Sequence, residues 1–197
     1  FSGVPLERFV SGREESLSQC LSNPHAVCLL MKRFAIGTKV ISTPQGEGEH
    51  NESTRLAKPS LVSLSADSID RNTLTLLGTD KKTHDPVFVA QVTNQWVDQS
   101  VTFSEVVPLA MKLLPEEASL AAFAKSKIRQ HVYSRFCPTC GGPTMMVDMG
   151  ANRRCESCKS DFFTRTDPVA ISVVIHPTDP HKCLLVRKAA YPAGRYT

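Results

Sequence analysis

Cys137-Pro138-Thr139-Cys140-Gly141-Gly142, answered by Cys155-Glu156-Ser157-Cys158, decides how the rest of the chain is read. Two Cys-x-x-Cys pairs with fourteen residues between them have the spacing of a four-thiolate zinc ribbon. Each pair belongs on a tight turn that aims both sulfurs at one ion. Gly141 and Gly142 suit the backbone just past the first turn, where φ can be positive. Pro143 to Arg154 alternates around Gly150 and predicts a short hairpin joining the two knuckles. The other use of four thiols is a pair of disulfides. Seven cysteines, an odd number, with no signal-peptide pattern opening the sequence, argue against an oxidised framework. Cys20, Cys28 and Cys183 lie among apolar residues and read as buried free thiols. Zn²⁺ held by Cys137, Cys140, Cys155 and Cys158 has a closed shell, so one such ion per chain is expected to shape the fold and not to take part in chemistry.

Immediately before the ribbon, Pro115-Glu116-Glu117 opens a helix predicted to run to about Val132. Proline fits its first turn and the acids fit its positive end. Leu120, Phe123, Ala124 and Ile128 form its apolar face. Lys125, Lys127 and Arg129 read as a solvated basic face. Phe103 to Leu114 reads as a helix interrupted by Pro108. Further upstream, Ala26–Phe34 reads as a buried strand with Thr38–Ser42 paired back on it, and Leu61–Leu64, Thr73–Gly78 and Pro86–Val92, with turns at 70–72 and 80–82, suggest an antiparallel sheet. Glu14–Leu21 reads as a short helix. Pro44–Thr54, polar and aperiodic, reads as a surface loop. Trp96 is expected to pack in the core. Beyond the ribbon, Val169–His176 and Lys182–Arg187 read as strands, the first apolar enough to be covered on both faces.

The totals bound the function. At 197 residues there is room for one to two domains, and 41% hydrophobic with 21% charged residues is ordinary for a globular chain. A net charge of +4 favours the approach of an anionic substrate but falls short of a nucleic-acid footprint. No apolar run has membrane-spanning length, so no membrane partner is expected.

With these residues laid out, the sequence resembles the NADH pyrophosphatase family of Nudix hydrolases. Phe1-Ser2-Gly3, Leu6-Glu7-Arg8 and Arg13 are similar to the family's opening motif. Leu114-Pro115-Glu116-Glu117-Ala118 with Ala121-Ala122-Phe123-Ala124 resembles the helix before its ribbon. Phe136-Cys137-Pro138-Thr139-Cys140-Gly141 is similar to its zinc knuckle, and Arg165-Thr166-Asp167-Pro168-Val169-Ala170-Ile171 to the entry of its Nudix sheet. Cys183-Leu184-Leu185-Val186-Arg187 and Tyr191-Pro192-Ala193-Gly194-Arg195-Tyr196 resemble what precedes the catalytic loop. Two departures stand out. Thr164 replaces the usual proline, and Ile128-Arg129-Gln130-His131 lacks the usual tryptophan.

The resemblance implies an α+β chain in three parts. These are an NADH-pyrophosphatase-like domain over 1–132 with an antiparallel sheet, a ribbon over 133–165, and the first strands of a Nudix α/β/α sandwich over 166–197. It implies hydrolysis of NADH or NAD⁺ to nicotinamide mononucleotide and AMP, action on NAD-capped RNA in some relatives, and a homodimer. It also implies catalytic Mg²⁺ or Mn²⁺ held by a glutamate-rich box. No such box occurs between Phe1 and Thr197, so the chain reads as a fragment, inactive alone, with no catalytic residue of its own. Phe163, then Phe162, aligns with the aromatic that stacks on the substrate ring. The reading from a different class is a non-catalytic zinc-ribbon module that binds RNA or protein. The compartment is expected to be intracellular and reducing, with cytosol, peroxisome and mitochondrion all open.

Overall fold

The apolar run after Asn23-Pro24 forms β2 (Val27–Lys32), whose Cys28, Leu29, Leu30 and Met31 are all fully buried. Such a strand has two covered faces, and the alternation of its side chains sorts them. Leu29 and Met31 join one apolar cluster, while Cys28 and Leu30 join another on the opposite face. Strand β6 (Pro86–Val92) lies beside it and divides in the same way, with Val87 and Val89 on the first face and Phe88 and Ala90 on the second.

The computed structural model describes residues 5–7, 19–45, 49–165, 167–168 and 170–196, in two compact units, Phe1–Thr164 and Arg165–Thr197. In the first unit, seven strands form one sheet in the order β1-β5-β6-β2-β3-β4, with β7 also pairing with β3. The strands not yet placed are β1 (Leu6–Glu7), β3 (Ala35–Gln45), β4 (Glu49–Leu56), β5 (Ile69–Asp80) and β7 (Thr102–Glu105). Every pairing is antiparallel except β2 with β6, which run parallel, so the sheet is mixed.

A short helix, α1 (Val106–Ala110), leads to α2 (Pro115–Tyr133), which places Leu120, Ala121, Phe123, Ala124 and Ile128 on the first face. Each of the large side chains, Leu120, Phe123 and Ile128, stabilises the fold by about 1.5–3 kcal/mol through burial, and the two alanines by less. Pro115 takes the first turn, where its missing N–H costs nothing. Glu117, two residues on, faces Arg55 at 3.6 Å and Lys58 at 3.9 Å and ties the helix start to β4. The ribbon follows directly. Strands β8 (Thr144–Val147), β9 (Asn152–Cys155) and β10 (Asp161–Phe162) form a separate antiparallel sheet in the order β10-β9-β8.

Several expectations change. The polar stretch 44–54 is not a loop throughout, because β3 and β4 pair from Thr38↔Leu56 to Gln45↔Glu49. It escapes a period-2 reading because β4 is an edge strand, where charge is favoured over an apolar face. Phe103–Glu105, expected to be helical, lies in β7, which pairs with β3, and the helix starts only at Val106. Leu61–Ser63 is a 3₁₀ turn, not a strand. The expected turn at 70–72 is a register shift inside β5, where the Asn72 amide donates to Asp70 Oδ1 at 3.0 Å. The turn at 80–82 does form, with the Lys82 amide donating to Asp80 Oδ1 at 2.8 Å. Of the short helix expected at 14–21, residues 19–21 are helical and 14–18 lie outside the described residues, as do most of the opening-motif positions.

In the second unit, the strands expected at 169–176 and 182–187 reduce to one antiparallel bridge, Ile175↔Cys183. Two backbone hydrogen bonds flank it, from the His176 amide to Lys182 O and from the Leu184 amide to Val174 O, each 2.9 Å. Ile171, Val173, Val174, Leu184 and Leu185 are exposed. A two-stranded ribbon without a covering layer is marginal, which accounts for the short pairing. Cys183, expected to be buried, is exposed for the same reason, whereas Cys20 and Cys28 are buried. Burial pushes the Cys28 thiol up to about 12 and raises Cys20 as well, so neither is a reactive thiolate. Among the described residues, no helix is long and apolar enough to cross a membrane.

Candidate metal centre

The two Cys-x-x-Cys turns meet as their spacing requires. The sulfurs of Cys137, Cys140, Cys155 and Cys158 all lie within 4.8 Å of one another. Cys137 Sγ is 3.5 Å from Cys158 Sγ, and Cys140 Sγ is 3.5 Å from Cys155 Sγ. Four sulfurs around a tetrahedral zinc ion with ordinary Zn–S bonds stand about 3.8 Å apart, so the donor set fits that ion. Among the described residues it is the one group of three or more Cys, His, Asp or Glu placed to hold a metal. Among the described residues no carboxylate cluster is placed to hold Mg²⁺ or Mn²⁺.

Backbone amides turn inward at both knuckles. The Thr139 amide donates to Cys137 Sγ at 3.3 Å, and the Cys158 amide to Cys155 Sγ at 3.4 Å. The Ser160 hydroxyl beside Cys158, with help from its amide and from Cys137, brings that thiol down to about 6. At Cys140 the Gly142 amide lowers the pKa, but the neighbouring Cys155 and Cys158 thiols outweigh it and push the group up to about 11. Gly141 takes the expected positive φ of 73°.

A buried polar network holds the ribbon to α2. Arg153, on β9 and 7% exposed, donates from Nε to Thr144 Oγ1 at 2.8 Å and from Nη2 to Thr144 O at 2.6 Å. Its Nη1 lies 3.3 Å from His131 Nδ1. Arginine only donates, so His131 Nδ1 accepts and the proton of the neutral ring sits on Nε2. Burial first, and the Arg153 charge second, hold His131 down to about 4, the Gly150 backbone and Lys127 acting in opposite senses behind them. Lys127 donates from Nζ to Ala151 O at 2.7 Å and to Thr164 Oγ1 at 2.9 Å. Thr164 Oγ1 in turn donates to Gln130 Oε1, and Gln130 Nε2 donates to Phe162 O at 3.0 Å.

The two departures from the resembled family therefore meet in one place. A proline at 164 could not make the hydroxyl contacts that join Lys127 and Gln130. Sequence reading missed this network because buried Lys127, Gln130, His131 and Arg153 look like solvated residues in a string. The one available signal was position, since Lys127 and His131 share a helix face with Ala124 and Ile128.

The hairpin tip Asp148–Gly150 adds an apolar anchor, with Met149 packed on the same cluster as Trp96. Trp96, expected in the core, is half-buried and packs against that cluster, its Nε1 buried with no hydrogen-bond partner among the described residues. Phe162 is half-buried on β10, while Phe163 is 68% exposed.

Residues 134–163 match the NADH pyrophosphatase zinc ribbon domain. The match covers the ribbon segment alone. The resemblance to the NADH pyrophosphatase family of Nudix hydrolases rests on that match and on curated relatives. The human NAD-capped RNA hydrolase NUDT12 is 39% identical over 99 residues, covering 46% of this chain and 21% of that protein. The human mitochondrial NAD(P)H pyrophosphatase NUDT13 is 32% identical over 96 residues, covering 49% of this chain and 26% of that protein. The chloroplastic Nudix hydrolase 19 of Arabidopsis thaliana is 32% identical over 78 residues, covering 39% and 18%. The chain thus spans about a fifth to a quarter of the length of the relatives it matches.

Proposed function

We propose that this chain is the ribbon-bearing portion of an NAD(H) diphosphatase, which cleaves the dinucleotide to nicotinamide mononucleotide and AMP and also accepts NAD-capped RNA. The observation that carries this reading is the converged four-thiol cluster within a segment matched to the NADH pyrophosphatase ribbon. Cys137, Cys140, Cys155 and Cys158 hold one zinc ion, which supplies a rigid cross-link and no reactive position. The division into 1–132, 133–165 and 166–197 follows, with the ribbon tied to α2 through Arg153 and Lys127. The protein works as a homodimer, and its catalytic Mg²⁺ or Mn²⁺ is held by a glutamate-rich box that the 197 residues do not contain.

Phe163 is the stacking residue for the substrate ring. It follows β10 directly and offers an exposed aromatic face, and one such stack is worth about 1–3 kcal/mol. The test incubates NADH and NAD⁺ with Mg²⁺ and separates products by liquid chromatography. The protein that carries this chain is expected to yield AMP and the mononucleotide, and the 197 residues alone to yield none. Phe163→Ala is expected to raise KM about 5- to 150-fold with kcat less affected. Different products from the zinc-loaded protein would overturn the diphosphatase, and an unchanged KM would overturn the role of Phe163.

A further inference from the structure

We propose that the β2–β3 turn and the last turns of α2 form a binding surface for single-stranded RNA. Total charge gives no hint of it, but the local distribution does. Phe34 and Tyr133 stack with centroids 5.6 Å apart and ring planes 24° apart. The Arg129 guanidinium lies over both, 5.2 Å from the Phe34 centroid and 5.0 Å from that of Tyr133. Arg129, expected to be simply solvated, is thus held against an aromatic pair. Tyr133 is nevertheless 65% exposed, which leaves ring surface free for a further stack.

Cations surround the pair. Lys32, at the end of β2, and Arg33, on the turn that carries Phe34, are exposed, and exposed Arg135 follows Tyr133 by two residues. Among the described residues, Lys32, Arg33, Arg129 and Arg135 form no ion pair. The neighbouring acid is Glu105, opposite Ala35 in the sheet, and Lys125 already pairs with it at 3.1 Å.

An exposed aromatic ring among unpaired cations is the combination that binds single-stranded nucleic acid, bases stacking while the charges follow the phosphates. The negative end of the α2 dipole disfavours phosphate beside Tyr133 itself, so the base belongs on Tyr133 and the phosphates on Lys32 and Arg33. This surface deepens the reading above, because a capped substrate has a polymer to hold as well as a cap. Binding of uncapped RNA needs no hydrolysis, so the two readings fail separately.

The test is fluorescence anisotropy with a labelled oligouridylate about 12 nucleotides long. Affinity is expected to fall with salt, with a log–log slope of about −1.4 for the two phosphate contacts at Lys32 and Arg33. Tyr133→Ala is expected to weaken binding about 5- to 150-fold, and Tyr133→Phe to restore it. Arg33 has a φ of 56°, which asparagine tolerates, so Arg33→Asn removes charge without straining the turn. It is expected to shallow the salt slope by about 0.7. Lys82→Ala, at the opposite end of the sheet because β2 and β6 run parallel, is expected to leave binding unchanged. No binding, equal binding of duplex RNA, equal competition by polyglutamate, or indifference to both Tyr133→Ala and Arg33→Asn would overturn the proposal.

Discussion

Gly150→Ala tests the docking of the ribbon on the sheet. Gly150 has a φ of 82°, and a Cβ there would lie 2.5 Å from Thr75 Oγ1 and 2.9 Å from both Thr75 Cβ and Cγ2. Carbon atoms in good contact stand about 3.5–4.0 Å apart, so the overlap is severe. Thr75 has nowhere to go: it is fully buried, β-branched, and its hydroxyl donates to Thr73 O at 3.0 Å. The left-handed backbone costs alanine about 1–2 kcal/mol, and overpacking a filled site adds about 1–3 kcal/mol. Together the loss is about 2–5 kcal/mol. Gly141 separates the two contributions, because its φ is 73° and no atom lies within 4 Å of its Cβ position. Gly141→Ala should therefore cost only the backbone part. Urea unfolding of the zinc-loaded proteins measures both losses. If Gly150→Ala costs no more than Gly141→Ala, the hairpin tip does not pack on Thr75 and the docking described here is wrong.

Two further predictions concern the same junction. His131 is held neutral, its folded pKa lowered to about 4 from an ordinary value near 6.5. The unfolded chain therefore binds the extra proton in that interval, and the stabilisation present above pH ~6.5 is lost as pH falls towards 4. The difference approaches about 3 kcal/mol, and wild type minus His131→Gln in urea titrations from pH 7 to 4 should carry it; parallel curves would refute it. Cys155→Ser, at a fully buried sulfur, is expected to drop zinc from one per chain to well below stoichiometry and to raise amide exchange across 136–164. Atomic absorption still reading one zinc per chain would remove the four-thiolate assignment.

The sequence alone determined the metal centre, the long helix and the two central strands. Each rests on a short-range signal: thiol spacing at Cys137–Cys140 and Cys155–Cys158, proline and acids at 115–117, and continuous apolar runs at 26–31 and 86–90. Gly141 and Gly150 were legible for the same reason, since a tight turn imposes its φ within a few residues.

Only the tertiary structure decided what depends on partners far along the chain. The edge strand at 49–56 is polar, so its pairing with β3 leaves no pattern in its own residues. Parallel pairing of β2 with β6 joins segments some sixty residues apart, and no local period encodes it. Lys127, Gln130, His131, Arg153 and Thr164 are ordinary polar residues in the string. They become a buried network because the ribbon folds back onto α2, where each polar group must find a partner as water leaves. Arg129 gains its meaning from Phe34, ninety-five positions earlier. Chemistry written at fixed spacing is readable without coordinates; chemistry assembled across the fold is not, because its physical cause is the juxtaposition itself.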